Sequence, residues 1–223
     1  MYDRGVNRTL TIVFVVVTAL ACAALLYFLR VGWPQLAAGA KAVASSGFLA
    51  TAISAGALRH RFGRVLFGGL VLSFMGDMFL VGTTRTAFMF GLCSFLLAHL
   101  AYIGAFIIHG LSRKWLTVAA LPVVMVAALV VRWLSPELPG ELVLPVYAYI
   151  AVISLMVIAA FGSKGAGAST LLVVGAMMFF VSDLSVAAQR ILQSDFPTIV
   201  WGLPLYYAGQ VCLALSTSQS SSQ

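Results

Sequence analysis

Six acidic residues occur in this chain, and two of them interrupt long apolar runs: Asp77 in LSFMGDMFLV and Asp183 in GAMMFFVSDLSVA. The others, Asp3, Glu137, Glu141 and Asp195, fall at a terminus or in polar connections. A carboxylate inside an apolar helix is costly unless it faces a polar interior, is paired or takes up a proton, so Asp77 and Asp183 are the first candidates for function. If the two face each other, mutual repulsion in a low dielectric favours a pair that holds one proton near neutral pH. One carboxyl is then an acid and the other a base, the combination that cleaves an acid-labile bond through a cationic transition state. The alternative is a structural pair, hydrogen-bonded to Ser, Tyr or backbone, that fixes helix packing.

Helical spacing gathers further polar groups around these aspartates. Gly69, Ser73 and Asp77 are four apart and form a small, polar helix face that can admit a neighbour or a ligand. Ser182 directly precedes Asp183. His99 and Tyr102, three apart in FGLCSFLLAHLAYIGAF, share a surface; His99 reads as a packing histidine or as a functional one. Tyr206 and Gln210, at i and i+4 in YYAGQ, can bond across a bundle, while Tyr206, like Tyr147 and Tyr149, also suits an interfacial aromatic belt. Lys41 stands about a turn and a half inside its helix, where it snorkels, binds a phosphate or pairs with an aspartate. His60 and His109 read as interfacial. The histidines are scattered, and Cys22, Cys93 and Cys212 lie singly in apolar runs, so neither a zinc spacing nor a disulfide framework is visible. No metal ligands are assigned, although a two-carboxylate metal site stays open. Phosphate loops and dinucleotide fingerprints are absent, and no cofactor is expected.

The elements that must position these groups follow from composition. Of 223 residues, 62% are hydrophobic and 9% charged, and the mean hydropathy is +1.06, which excludes a soluble globular chain. Glycines scattered through the apolar runs suit close helix packing in lipid rather than a β-barrel. The predicted architecture is all-α, a polytopic transmembrane bundle of eight helices: Thr9 to Leu29, Leu36 to Leu58, Val65 to Val81, Thr86 to Ile108, Trp115 to Trp133, Leu142 to Phe161, Ala168 to Ala188 and Thr198 to Ser216. The first run is too long for a signal h-region and is expected to be retained. One domain over residues 1–216 and a disordered polar tail over 217–223 complete the expectation.

Counting basic residues on alternate sides gives Arg4, Arg8, Arg59, Arg61, Arg64, Arg113, Lys114 and Lys164 against Arg30, Arg85, Arg132 and Arg190. This bias puts both termini in the cytoplasm, most simply across a bacterial inner membrane. The net charge of +7 is thus a topology signal, and no nucleic-acid partner is expected. Gly69 to Val81 and Gly175 to Ala187, aligned on their aspartates, share Gly, Phe and Asp; four helices lie between them, so the echo points to a parallel 4+4 internal repeat or to chance.

In these segments the chain resembles the YhhN family of membrane proteins, whose characterised members are lysoplasmalogenases. The similarity runs through LSFMGDMFLV, the stretch Phe90 to Phe106, the stretch Tyr149 to Met156, GAMMFFVSDLSVA and YYAGQ. Family members often carry a Lys-Pro pair in helix two, where this chain has Lys41 and Ala42, and not all keep an acid at the position of Asp183. The resemblance implies an ether hydrolase that cleaves the vinyl ether of alkenylglycerophosphocholine or alkenylglycerophosphoethanolamine, releasing a fatty aldehyde. It implies that one of Asp77 and Asp183 delivers a proton while the other stabilises the cation and activates water. Ser73, His99, Tyr102, Tyr149, Ser182, Tyr206 and Gln210 would support the site, and Lys41 could meet the phosphate. The expected partner is a lysophospholipid entering sideways from the membrane lipids; the oligomeric state is open. The rival readings are a proton-coupled transporter and a non-catalytic lipid-binding protein.

Overall fold

A computed structural model describes residues 7–192 and 199–218. Among the described residues there are eight α-helices: α1 (Arg8–Val31), α2 (Pro34–Ser54), α3 (Arg61–Phe79), α4 (Arg85–His109), α5 (Arg113–Leu134), α6 (Gly140–Gly165), α7 (Thr170–Arg190) and α8 (Ile199–Ser216). All eight are long and apolar enough to cross a membrane. Their starts carry ordinary helix signals: the side chains of Asn7, Thr84 and Ser169 accept hydrogen bonds from Leu10, Ala87 and Leu171 backbone N–H groups. Gly32, at φ 77°, terminates α1 in the left-handed region, and Pro34 opens α2 two residues later.

Three boundaries differ from the sequence reading by four residues: α6 runs on to Gly165 rather than Phe161, and the other two have local reasons. Helix α2 stops at Ser54 rather than Leu58 because Gly56 adopts φ 92°, after which Ala57–Arg59 form one 3₁₀ turn. Helix α3 begins at Arg61, a turn before Val65, because arginines at an interface extend a helix without having to enter the apolar layer. Asp3, Arg4, Asp195, Thr198 and residues 219–223 of the expected tail lie outside the described residues. Thr217, at the start of that tail, is buried and donates to the Ala214 carbonyl at 2.7 Å.

The helices pack as four hairpins, α1–α2, α3–α4, α5–α6 and α7–α8, joined by contacts α2–α3 and α6–α7 and by α2–α8 and α4–α6. Each pairing within the first half thus has a counterpart in the second, although α8 also packs against α1 and α3, with no contact of like extent among the described residues from α4 to α5 or α7. The match reaches individual residues. Gly69 of α3 lies against Ala98 and Tyr102 of α4, and Gly175 of α7 lies against Gly209 and Leu213 of α8. Seven residues on along the first helix and seven back along the second, Gly91 approaches the Gly76 carbonyl in one half and Gly202 the Ser182 carbonyl in the other. Small residues at these crossings let the helix backbones close up, which is how packing is gained where lipid supplies no hydrophobic drive. Helices α1 and α5, equivalent in this scheme, are the most exposed, with Leu20 on one and Leu121 on the other facing outward.

A Cβ added at Gly175 would sit 2.8 Å from the Gly209 carbonyl oxygen, whereas one added at Gly39 meets nothing within 4 Å. Gly175→Ala is therefore expected to lower stability by about 1–3 kcal/mol, read as a drop in thermal unfolding temperature in detergent, and Gly39→Ala to leave it unchanged or raise it.

Candidate active site

Asp77 lies two residues before the end of α3 and is 2% exposed. Helix α2 brings Lys41 and Ser45, one turn apart on one face, and α8 brings Tyr206. Ser45 Oγ and Tyr206 Oη both donate to Asp77 Oδ2 at 2.7 Å, and Lys41 Nζ stands 3.4 Å from Oδ1. Tyr207 lies behind Ser45, its hydroxyl 3.3 Å from Ser45 Oγ. Of the three roles open to Lys41, the structure shows pairing with an aspartate.

Asp183 occupies the corresponding place on α7. Tyr149 of α6 donates to Asp183 Oδ2 at 2.6 Å, and His99 of α4 places Nε2 2.9 Å from the Tyr149 hydroxyl and 3.8 Å from Oδ2. The two aspartates are thus served by equivalent helices, α2 and α8 for Asp77 and α6 and α4 for Asp183. Their donors differ: one has a lysine, the other a histidine–tyrosine pair. His99 is fully buried, its ring 4.6 Å from that of Phe179, and its Nδ1 has no hydrogen-bond partner.

A third group of polar residues fills the space behind these two. Tyr102 Oη donates to Gln210 Oε1 at 3.0 Å; its one proton is thereby used, so Ser73, also at 3.0 Å, donates to Tyr102. Phe179 packs edge-on against both His99 and Tyr206, at 4.6 and 5.3 Å between ring centroids, and so connects the surroundings of one aspartate to those of the other. Ser182 Oγ is buried and donates to the Phe179 carbonyl at 2.7 Å.

The carboxyls line a common cavity of about 290 Å³, with Lys41, Tyr149, Ser182, Ser185, Gln189, Arg190 and Tyr206 among its other polar walls. Apolar side chains such as Phe88, Val130, Val146 and Ile150 complete it. It reaches the surface where α3 and α7 end, bordered by the exposed Leu29 and Arg190. A small polar set at one end of an apolar hollow is the layout of a site that orients an amphipathic ligand.

Of the residues named from sequence, Lys41, Asp77, Tyr149, Ser182, Asp183 and Tyr206 meet at the cavity, while Ser73, His99, Tyr102 and Gln210 stand behind it. Tyr147 instead bonds Ser135 near the surface at 2.9 Å. The aspartates do not share a proton directly: among the described residues no hydrogen bond joins them, because each is taken up by donors from its own pair of helices. Sequence reasoning missed Ser45 and Tyr207. Ser45 carried a signal, being four residues from Lys41 on the same helix face, whereas Tyr207 is marked only by adjacency to Tyr206.

Fold and site together define a multi-pass helical membrane protein with two carboxyls in an internal cavity. The YhhN family model matches residues 36–217, and the chain belongs to the YhhN family. It is 31% identical over 173 residues to lysoplasmalogenase TMEM86A of Bos taurus, covering 73% of this chain and 69% of that protein. Against lysoplasmalogenase TMEM86A of Homo sapiens the identity is 33% over 170 residues, again covering 73% and 69%. A lysoplasmalogenase of Mycobacterium tuberculosis is 33% identical over 152 residues, covering 65% of this chain and 58% of that one. No solved structure matches the chain.

Removing one member of a buried ion pair leaves the other uncompensated, at a cost of about 3–5 kcal/mol. Lys41→Met is expected to be destabilising on that scale, and Asp77→Asn in the same protein to recover part of the loss. Unfolding of the two single variants and the double variant measures the coupling; strictly additive effects would show that Lys41 and Asp77 are not energetically paired.

Proposed function

We propose that this protein is a lysoplasmalogenase, hydrolysing the vinyl ether of a choline or ethanolamine lysoplasmalogen to a fatty aldehyde and a glycerophospho-base. The observation that carries the reading is the unlike provision made for two carboxyls in one cavity: Asp77 faces a lysine and two hydroxyl donors, while Asp183 faces a tyrosine and a histidine. Vinyl ether hydrolysis needs that inequality. The names of the family relatives point to the same substrate.

In this reading Asp77, with a cation and two hydroxyl donors, works as the carboxylate. Asp183 is given the role of acid. Its surroundings accommodate either state: a protonated Asp183 can donate to Tyr149, which then donates to His99 Nε2, using the same atoms at the same 2.6 and 2.9 Å separations. Asp183 transfers its proton to the vinyl carbon one bond beyond the carbon attached to oxygen, leaving a carboxylate and an oxocarbenium ion. Asp77 stabilises the cation and takes a proton from the water that adds to it, giving a hemiacetal. Asp77 returns that proton to the glycerol oxygen as the carbon–oxygen bond breaks, and Asp183 takes the hemiacetal hydroxyl proton as the aldehyde forms. Both carboxyls end as they began. Lys41 acts by pairing with Asp77 at 3.4 Å and fixing its orientation, and Ser73, Tyr102 and Gln210 act as the scaffold behind Tyr206 and Asp77.

The lipid enters from the bilayer with its single chain against the apolar wall. We take the protein to lie in a bacterial inner membrane with both termini cytoplasmic. The support is that Arg59, Arg61, Arg64, Arg113, Lys114 and Lys164 cluster at the N-terminal end of the bundle. The mouth of the cavity then faces away from the cytoplasm.

Purified protein incubated with a lysoplasmalogen is expected to release free aldehyde, and to leave the saturated alkyl-ether analogue intact. Asp77→Asn and Asp183→Asn, checked for folding by thermal unfolding, should each lose about 10²–10⁴-fold in kcat. Wild-type rates in both variants, or no aldehyde from either headgroup class, would defeat the proposal.

A further inference from the structure

Among the described residues two cations line the cavity, Lys41 and Arg190. Lys41 is matched by Asp77 at 3.4 Å and has no charge to spare for a ligand. Arg190 differs in both place and partner. It is the last residue of α7, exposed, and one guanidinium nitrogen donates to the carbonyl of Leu80, the residue capping α3, at 3.2 Å. A carbonyl uses a donor and fixes direction without cancelling charge, and a guanidinium has five N–H donors in a planar fork. Arg190 is thus held across the mouth between the two helices that carry the aspartates. Along α7 it is seven residues from Asp183, about 10 Å of helix rise. Its acceptor, the Leu80 carbonyl, lies three residues beyond Asp77 along α3, about 5 Å of helix rise, so the fork stands on the order of a glycerol length from the carboxyls. Arg85, at the same end of the bundle, is already paired with Glu141 Oε2 at 2.5 Å and does not line the cavity.

We propose that Arg190 binds the phosphodiester of the lipid headgroup in a forked contact and thereby sets the register of the substrate, with the phosphate at the mouth and the ether bond between Asp77 and Asp183. This rests on the hydrolase reading for its consequence in turnover, but the binding itself does not. The guanidinium fork complements two phosphate oxygens. The site accordingly selects phosphate-bearing single-chain ethers over neutral alkenylglycerols, and the Lys41 ammonium has no part in that selection.

The test uses the full chain in detergent as wild type, Arg190→Gln, Arg190→Lys and Arg85→Gln. Thermal stabilisation is measured with a non-hydrolysable 1-O-alkyl lysophosphocholine, with 1-O-alkylglycerol and with inorganic phosphate; kcat and KM are measured on a lysoplasmalogen and on 1-O-alkenylglycerol. Arg190→Gln should raise the KM for the lysoplasmalogen about tenfold or more with kcat nearly kept, leave turnover of the alkenylglycerol unchanged, and abolish the extra stabilisation that the phosphate-bearing ligand gives over the alkylglycerol. Arg190→Lys should fall between, and Arg85→Gln should match wild type. Equal stabilisation of wild type and Arg190→Gln by the alkyl lysophospholipid would overturn the proposal. So would equal losses in Arg190→Gln and Arg85→Gln, which signal a general charge effect, or Arg190-dependent stabilisation by inorganic phosphate equal to that by the lipid, which signals a free-anion site. If wild type released no aldehyde from any substrate, the hydrolase reading would fail while the binding comparison still decided the role of Arg190.

Discussion

Every feature of the site depends on one constraint: a carboxyl placed among apolar helices has no water to solvate it, so neighbouring helices must supply its donors. Asp77 draws Lys41, Ser45 and Tyr206 from α2 and α8, and Asp183 draws Tyr149 and His99 from α6 and α4. The aspartates therefore tie the bundle together at its interior, and the cavity they line is the space left where those ties converge. The same lack of solvent makes the donors themselves hold one another in place, as Tyr102 does with Ser73 and Gln210.

The repeated packing plan explains why there are two such centres on one cavity. The contacts of Gly69 and Gly91 recur as those of Gly175 and Gly202, so the two halves pose the same problem of solvating one aspartate each. They solve it differently. A lysine on α2 matches the charge of Asp77, whereas α6 offers Asp183 a phenol that can point its proton either way. In the proposed hydrolysis, that asymmetry of donors on a repeated backbone is what separates an acid from a base.

Much of this was legible beforehand. An aspartate in a long apolar run is conspicuous because its cost does not depend on tertiary detail, and eight spans follow from hydropathy because bilayer thickness prescribes helix length. Lys41 and Tyr206 were legible as possible partners across the bundle and Tyr149 as a site candidate, but an interfacial reading stayed equally open, since an intramembrane tyrosine or lysine near a helix end suits an interface as well. Ser45 was passed over because serine is an ordinary small residue of packed helices; only its 2.7 Å approach to Asp77 distinguishes it. The end of α2 was misjudged by four residues because the turn at Gly56 depends on a backbone angle that many glycines never adopt.

The amino-acid sequence by itself determined the all-helical membrane class, the placing of two aspartates inside apolar helices and the family, because these follow from residue type, run length and local spacing. Only the tertiary structure decided that the aspartates take separate partners, that Lys41 is consumed by Asp77, and that Arg190 stands over the shared cavity. Those are relations between helices far apart in the chain, and which helix faces which is set by the close fit of small residues such as Gly69 and Gly175 at the crossings, a matter of shape that periodicity along one segment does not encode.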